Sequence, residues 1–327
     1  AMLVMDGIDT STLSEDLLER CAWRAAGYDR DNRFFQEDFD ELKAAGYLLS
    51  AVPKAFGGAG LNLAEICREQ ARLAYAAPAT ALAVNMHLYW TGIAADLNKT
   101  GDHTLDWLLE DAGAGGVFAA GHGERGNDLP VLTSASSAEK VDGGYRFSGH
   151  KIFGSLTPVW TRLGIHAMDL ADPAHPKVVH AFMPRETAGY QIVETWDTLG
   201  MRATRSDDTV LNGAFVPDRF IVRVLPAGFA GADLFVLGIF AWAEPTFGHI
   251  YTAIAQRARD LAVAAGNGHT LASAYVRGWP GSLQVVWFVL ALSAGLALTL
   301  VPYGMMPFYD VLHNLQGLYE IHDARVR

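Results

Sequence analysis

The chain is poor in cysteine and in positive charge. Its 327 residues include two cysteines, Cys21 and Cys67, and neither lies in a C-x-x-C pattern. A disulfide framework and a metal site are therefore not expected, and a reducing, cytoplasmic location is the natural interpretation. The formal net charge of −11 argues against nucleic acid as a partner, because neutralising phosphates requires clustered lysine and arginine.

The chain also lacks a recognisable secretory signal and the composition of a disordered protein. The first residues show no basic region followed by an apolar core, so no secretory signal is expected. The composition is not that of a disordered chain, because half of the residues are hydrophobic and can form a core. The sequence therefore predicts a folded protein.

One long stretch lacks charge altogether. Between Arg277 and Asp310 there is no charged residue, and residues 283–303 are almost continuously apolar. That length meets the usual criterion for a membrane span. A helix buried in a bundle or in a subunit interface is favoured, because polar residues and glycines interrupt the stretch. A membrane segment and a departure from the natural sequence are the alternatives.

The first third of the chain has helical patterns. Thr12 and Glu15 have the spacing of a capping box at the start of a helix. Asn62 can cap a later helix, and Pro78 can begin another, since proline is favoured at the first helical position. Residues 79–97 are apolar on most faces, which predicts a helix in the middle of a bundle.

The middle of the chain has strand patterns. After Gly115, short alternating runs occur at Tyr145–Phe147, Val178–Met183 and Thr209–Phe215. Alternation with a period of two predicts strands, and helical spacing returns after Gly231. Helices, then strands, then helices predict an α+β fold with segregated domains rather than alternating βαβ units.

Four local strings resemble the acyl-CoA dehydrogenase family. They are VPKAFGGAGLN at 52–62, GGYRFSGHKIFGS at 143–155, WDTLGMRATRSDDTVLNGAFVP at 196–217 and IAQRARDLAV at 254–263. The third string is similar to the L-G-x-R-x-T-x-S…V-P segment in the middle domain of that family.

The resemblance implies three domains. We expect an N-terminal helical domain over 1–112, a middle β-barrel-like domain over 113–226, and a C-terminal helical bundle over 227–327. The last domain is too short for a full four-helix bundle and is predicted to be incomplete.

The resemblance also implies a bound flavin, FAD. In the family, a Trp-Ile-Thr run places an aromatic ring, a hydroxyl and backbone amides beside the flavin ring, and here Phe153, Gly154 and Ser155 occupy those positions. An aromatic side chain can cover a flat apolar ring, and a donor aimed at flavin O4 and N5 can stabilise charge that develops there. A second flavin loop, T-E-P-x-A-G-S-D in the family, matches GHGERGND, which adds Gly123 and Glu124 as cofactor-binding residues.

The sequence departs from the family in ways that bear on the reaction. The second flavin loop has no counterpart of the serine that holds the CoA pantetheine in many members, and GNGHTLASAY at 266–275 replaces the flavin-pyrophosphate motif R-x-x-F-G. Acyl-CoA dehydrogenation needs a carboxylate base, and the family's usual C-terminal acidic position is not matched. The candidate catalytic residues are Glu244 for this base and, for a monooxygenase of the same fold, His87 and His322, although a core position suits His87 better.

The resemblance implies an FAD-dependent oxidoreductase of lipid metabolism, which acts on a CH–CH bond of an acyl-CoA thioester and passes electrons to an electron-transfer flavoprotein. One alternative is a monooxygenase of the same fold, which uses oxygen and reduced flavin from a flavin reductase on an aromatic substrate. An aromatic-Gly-Ser run such as 153–155 is frequent in that group. Another is a non-catalytic scaffold member. A homodimer or homotetramer is expected through the apolar C-terminal helices.

Overall fold

The computed structural model describes residues 12–127 and 130–266. The chain divides into a compact unit that ends at Ile254 and a second unit that begins at Ala255. Of the second unit, the structure describes the residues up to Gly266, which belong to the last helix.

Six α-helices occur in these described ranges. They are α1 (Glu15–Arg30), α2 (Gln36–Ala44), α3 (Leu63–Ala76), α4 (Pro78–Lys99), α5 (Asp106–Gly113) and α6 (Leu234–Gly266). The central helix is α4, in which most side chains from Thr80 to Leu97 are buried. A helix that is apolar on most faces belongs inside a bundle, so the prediction for 79–97 is confirmed.

Polar side chains cap the first turns of α1 and α3. At the start of α3, the Asn62 side chain accepts a hydrogen bond from the Glu65 N–H at 3.1 Å, and the Glu65 carboxylate accepts one from the Asn62 N–H at 2.8 Å. This confirms the predicted cap. At the start of α1, Ser14 accepts from the Leu17 N–H at 3.2 Å, so the capping box predicted from Thr12 is wrong.

Eight strands form a mixed sheet in the part of the chain that the structure describes. They are β1 (Phe118–Gly121), β2 (Ser137–Val141), β3 (Gly144–Gly154), β4 (Arg162–Asp169), β5 (Lys177–Pro184), β6 (Tyr190–Val193), β7 (Asp207–Pro217) and β8 (Ile221–Pro226). The order is β6-β7-β3-β2-β4-β5-β8, and β1 pairs with β4. The strands predicted from alternation lie in β3, β5 and β7, and the α+β class is confirmed. The three domain boundaries stay predictions.

The antiparallel pair of β3 and β7 contains a bulge near the end of β3. Lys151 pairs with Thr209 and Gly154 pairs with Asp207, so β3 carries one residue more than β7 in this interval. Such a bulge bends its strand and changes the direction of a side chain. Here it takes Phe153 out of the regular ladder.

Among the described residues, no helix combines the length and the apolar character needed to span a membrane. The apolar stretch 283–303 lies outside those residues. The interpretations given for it above stay predictions.

Candidate functional site

Two strained segments meet at the end of β3. Phe153 and Leu156 have φ of 59° and 67°, and Met201 and Arg205 have φ of 57° and 43°. The segments are joined by a hydrogen bond of 3.2 Å from the Leu156 N–H to the Thr204 carbonyl. Left-handed backbone at residues other than glycine costs about 1–3 kcal/mol each and concentrates at functional sites. We therefore take the contact between these two segments as the candidate site.

Phe153 presents its ring to solvent. The side chain is 61% exposed, and Trp196 packs edge-on against it with ring centroids 5.9 Å apart. Left-handed backbone is rare at a bulky residue, and at Phe153 it coincides with an exposed aromatic ring. The exposed face suits a flat, apolar ligand ring.

A chain of buried hydroxyl groups begins at Ser155, two residues after Phe153. Ser155 Oγ is 2.8 Å from Ser206 Oγ, and Ser206 Oγ is 2.7 Å from Thr204 Oγ1. Thr204 Oγ1 donates in turn to the Met201 carbonyl at 2.8 Å. The three hydroxyl side chains are all buried. The chain therefore links the two strained segments.

Gly123 lies against the same bulge. Its carbonyl accepts a hydrogen bond from the Ile152 N–H at 2.9 Å, and a Cβ at this position would stand 2.7 Å from the Ile152 carbonyl oxygen. Only glycine allows this approach. The run GHGERG at 121–126 has G-x-G-x-x-G spacing, but its last two residues form a turn and do not open a helix, so it does not form a Rossmann nucleotide site. The structure brings Gly123 close to Phe153, and the cofactor-binding role of both residues stays a prediction.

The Glu124 side chain is buried and is bound by other groups of the protein. Its carboxylate is 2.5 Å from the Lys151 ammonium, and both side chains are 1% exposed. It also accepts from the Ser134 hydroxyl at 2.7 Å, the Ser136 hydroxyl at 2.5 Å and the Ala135 N–H at 3.0 Å. Burial alone would raise the pKa of Glu124, but Lys151 and the hydroxyl donors lower it to about 2. Glu124 thus fixes the loop, and its role towards a cofactor stays a prediction.

Acid is expected to weaken the fold through Glu124. Its pKa of about 2, against an ordinary 4.5, means that its stabilising effect is present above about pH 4.5 and is lost as the pH falls towards about 2. We expect the urea midpoint of the unmodified protein to fall more steeply with acid than that of Glu124→Gln, which cannot titrate there. Parallel pH profiles for the two proteins would contradict this assignment.

Three histidine rings, one of them next to Gly123 in the chain, pack against one another. His122 and His166 have ring centroids 5.3 Å apart, and His166 and His180 are 5.9 Å apart. Burial lowers the pKa of His122 and of His180 to about 3, so both rings are neutral near neutral pH. Within the described residues, no three His, Cys, Asp or Glu side chains are arranged to hold a metal ion.

This histidine cluster was not predicted from the sequence. His166 and His180 are direct cross-strand partners in β4 and β5, and the period of two in each strand places them on one face of the sheet. Pairing β4 with β5 from the sequence would have found them. His122 has no such signal, because it lies just after β1.

The candidate catalytic residues occupy different environments. His87 is buried in α4: one ring nitrogen lies 2.9 Å from the Leu48 carbonyl and the other accepts from the Phe118 N–H at 3.1 Å. Burial lowers its pKa to about 4, so it ties α4 to β1 as a neutral ring. Glu244 is exposed on α6. His322 lies outside the described residues, and the catalytic roles stay predictions.

A groove beside the candidate site has polar walls. It is lined by residues of the α1–α2 connection and of the β domain, including Thr157, Arg185 and Arg205. Arg185 donates to the Thr157 carbonyl at 2.7 Å. Arg205 pairs with Glu194 at 3.1 Å and with Asp207 at 3.2 Å. The groove therefore carries hydrogen-bonding groups with largely balanced charge.

The order of helices and strands agrees with the family to which comparison with known proteins assigns this chain. The chain belongs to the acyl-CoA dehydrogenase-like superfamily, an enzyme superfamily with flavin-dependent oxidoreductase and monooxygenase members. Residues 12–104 match the family model for the acyl-CoA dehydrogenase N-terminal domain. The family resemblance predicted from the sequence is confirmed.

Particular relatives differ in their named reactions. The amino sugar nitrososynthase DnmZ from Streptomyces peucetius is 30% identical over 87% of this chain and 71% of DnmZ. YdbM from Bacillus subtilis (strain 168), provisionally named an acyl-CoA dehydrogenase, is 30% identical over 73% of this chain and 61% of YdbM. A solved structure of KijD3 in complex with FMN and dTDP-3-amino-2,3,6-trideoxy-4-keto-3-methyl-D-glucose matches with a TM-score of 0.70 and 27% identity, over 87% of this chain and 70% of KijD3.

Proposed function

We propose that the chain is a flavin-dependent monooxygenase that uses reduced flavin and oxygen to oxygenate the nitrogen of an amine substrate. The observation that carries the proposal is the Phe153–Ser155 run, an exposed aromatic ring beside a buried hydroxyl, in a chain similar to DnmZ over more than two thirds of both proteins. The named reaction of DnmZ supports an amine nitrogen as the oxygenated atom. The reaction requires a partner enzyme that reduces the flavin.

Acyl-CoA dehydrogenation is the second candidate, and the similarity to YdbM favours it. That reaction needs a carboxylate within reach of the substrate α-proton. Glu124 is buried and paired with Lys151, and Glu244 is exposed on α6. The loop after β1 also has no counterpart of the pantetheine-binding serine. In the part of the chain that the structure describes, these features favour the monooxygenase over the dehydrogenase.

The residues at the candidate site fit a flavin ring. The exposed Phe153 ring, with Gly123 beside it, would cover the apolar surface of the flavin, and Ser155 Oγ is a polar atom for its edge. When bound, the flavin would supply the electron-transfer and oxygen chemistry. We propose FMN ahead of FAD, because the KijD3 complex contains FMN and the pyrophosphate motif R-x-x-F-G is missing from this sequence. Titration with each flavin separates the two.

Replacing Phe153 by alanine is expected to weaken flavin binding about twofold to tenfold, since an aromatic contact of this kind contributes about 0.5–1.5 kcal/mol. Quenching of flavin fluorescence measures the affinity. Trp23→Ala is the control, because it removes a ring that is 85% exposed on α1, and its affinity should match the unmodified protein. A protein that binds neither FMN nor FAD at tens of micromolar would instead support the scaffold alternative.

The two reactions are separated by a paired experiment. The protein is first supplied with FMN, a flavin reductase and air, and a panel of amines is examined for oxygenated products by mass spectrometry. The oxidised flavin-loaded protein is then mixed anaerobically with a panel of acyl-CoAs. We expect an oxygen-dependent amine product and no loss of flavin colour with acyl-CoA. Bleaching by any acyl-CoA would reverse the order of the two candidates.

A further inference from the structure

The hydrogen bonds in the hydroxyl chain of Ser155, Ser206 and Thr204 have a fixed donor-to-acceptor direction. The Met201 carbonyl can only accept, so Thr204 donates its single hydroxyl hydrogen there, at 2.8 Å. The contact of 2.7 Å between Thr204 and Ser206 must then use the Ser206 hydrogen. Ser206 has no hydrogen left for Ser155, and the bond of 2.8 Å between them must use the Ser155 hydrogen.

Ser155 therefore presents only lone pairs to a ligand. Its hydroxyl hydrogen points to Ser206, and its backbone N–H donates to the Phe153 carbonyl at 3.0 Å. The next backbone N–H, of Leu156, donates to the Thr204 carbonyl at 3.2 Å. A hydroxyl group usually both donates and accepts, but here the protein has already used the donor half.

The direction matters because a flavin changes at N5 when it is reduced. In the oxidised ring, N5 and O4 are both acceptors. Two-electron reduction places a hydrogen on N5, which then becomes a donor. An acceptor on the protein can pair with reduced N5–H, but it meets only lone pairs on the oxidised edge.

We infer that Ser206 and Thr204 are positioning residues that hold Ser155 as an acceptor, so that the site binds reduced flavin in preference to oxidised flavin. The inference rests on the proposed binding of a flavin at Phe153–Ser155. It replaces the expectation that the Ser155 hydroxyl donates to flavin O4 and N5. The preference suits an enzyme that receives its flavin in the reduced form.

The test compares the dissociation constants of reduced and oxidised FMN, the former measured anaerobically. The unmodified protein is expected to bind reduced FMN about twofold to tenfold more tightly, which is the range for one neutral hydrogen bond. The midpoint potential of the bound flavin should rise correspondingly by about 10–30 mV. Tighter binding of the oxidised form would overturn the inference.

Thr204→Val is the informative variant. It removes the acceptor for Ser206, whose hydrogen can then turn to Ser155, and Ser155 becomes able to donate to oxidised flavin. The Met201 carbonyl keeps two other donors, Trp196 Nε1–H at 3.0 Å and the backbone N–H of residue 204 at 3.1 Å. We expect the preference for reduced FMN to disappear or reverse, and Thr204→Ser to restore it. A purely structural role for Thr204 would not produce this pattern.

Ser206→Ala provides a second measurement if Thr204→Val does not fold, since it also releases the Ser155 hydrogen and should abolish the preference. Failure of the unmodified protein to bind either form of FMN would overturn the proposed flavin site and the inference with it. Binding of both forms, with a ratio that neither variant changes, would overturn the positioning role alone.

Discussion

Replacing Glu124 by alanine is expected to lower the free energy of unfolding by about 3–5 kcal/mol, because the substitution leaves a buried charge without its partner. Lys151 is 1% exposed, and its ammonium lies 2.5 Å from Glu124. Its other contacts are the His166 carbonyl at 2.6 Å and the Ser134 hydroxyl at 3.5 Å, and neither can neutralise it. Urea denaturation followed by circular dichroism measures the loss.

The matched control is Glu139→Ala, which removes an exposed carboxylate from β2. Its effect should lie within about 0.5 kcal/mol. The double variant Glu124→Ala with Lys151→Ala should be less destabilised than the sum of the two single variants, because no charge is then left unpaired. Additive losses would show that the two side chains act independently, contrary to the geometry.

Replacing Trp90 by alanine is expected to cost about 3–5 kcal/mol of folding free energy, the range for emptying a buried tryptophan site. Its ring is 1% exposed and packs on His122, Phe182 and Phe235 with centroids 4.7 to 5.9 Å away. Its Nε1–H donates to the Ala119 carbonyl at 3.0 Å. Thermal and urea denaturation measure the change.

Trp23→Ala again serves as the control, because it deletes the same kind of side chain from an exposed position on α1. Its cost should be within about 0.5 kcal/mol. Gly164 gives an independent check on the packing, since a Cβ there would stand 2.5 Å from the Trp90 ring. Gly164→Ala should therefore destabilise by about 1–3 kcal/mol through overpacking. Equal stability of the Trp90 and Trp23 variants would contradict the central position of α4.

Local chemistry made much of the fold predictable. The α3 cap at Asn62 and the start of α4 at Pro78 depend on groups within four residues. The strands in β3, β5 and β7 follow from alternation along one segment. The family resemblance likewise rests on contiguous strings, which also indicated that 153–155 lies at a functional site.

The cap of α1 could not be predicted from the local sequence. Thr12 has a hydroxyl and the right spacing to Glu15, but its Oγ1 lies 3.4 Å from the hydroxyl of Ser50, 38 residues away. Ser14 caps α1 instead. Both hydroxyl residues near this helix start suit a cap by residue type, and the residue at which the helix begins decides which of them caps it.

At the candidate site, too, some properties follow from the local sequence and others depend on the folded structure. By itself, the sequence determined several helix and strand segments and the superfamily, and it was enough to predict a site at Phe153–Ser155, because each of these inferences rests on neighbours along the chain. Only the tertiary structure decided what Glu124 and Ser155 do. Glu124 pairs with a lysine 27 residues away, and the direction of the Ser155 hydroxyl depends on Ser206, 51 residues away. Burial and hydrogen-bond partners belong to the folded chain, so residue type and spacing could not fix them.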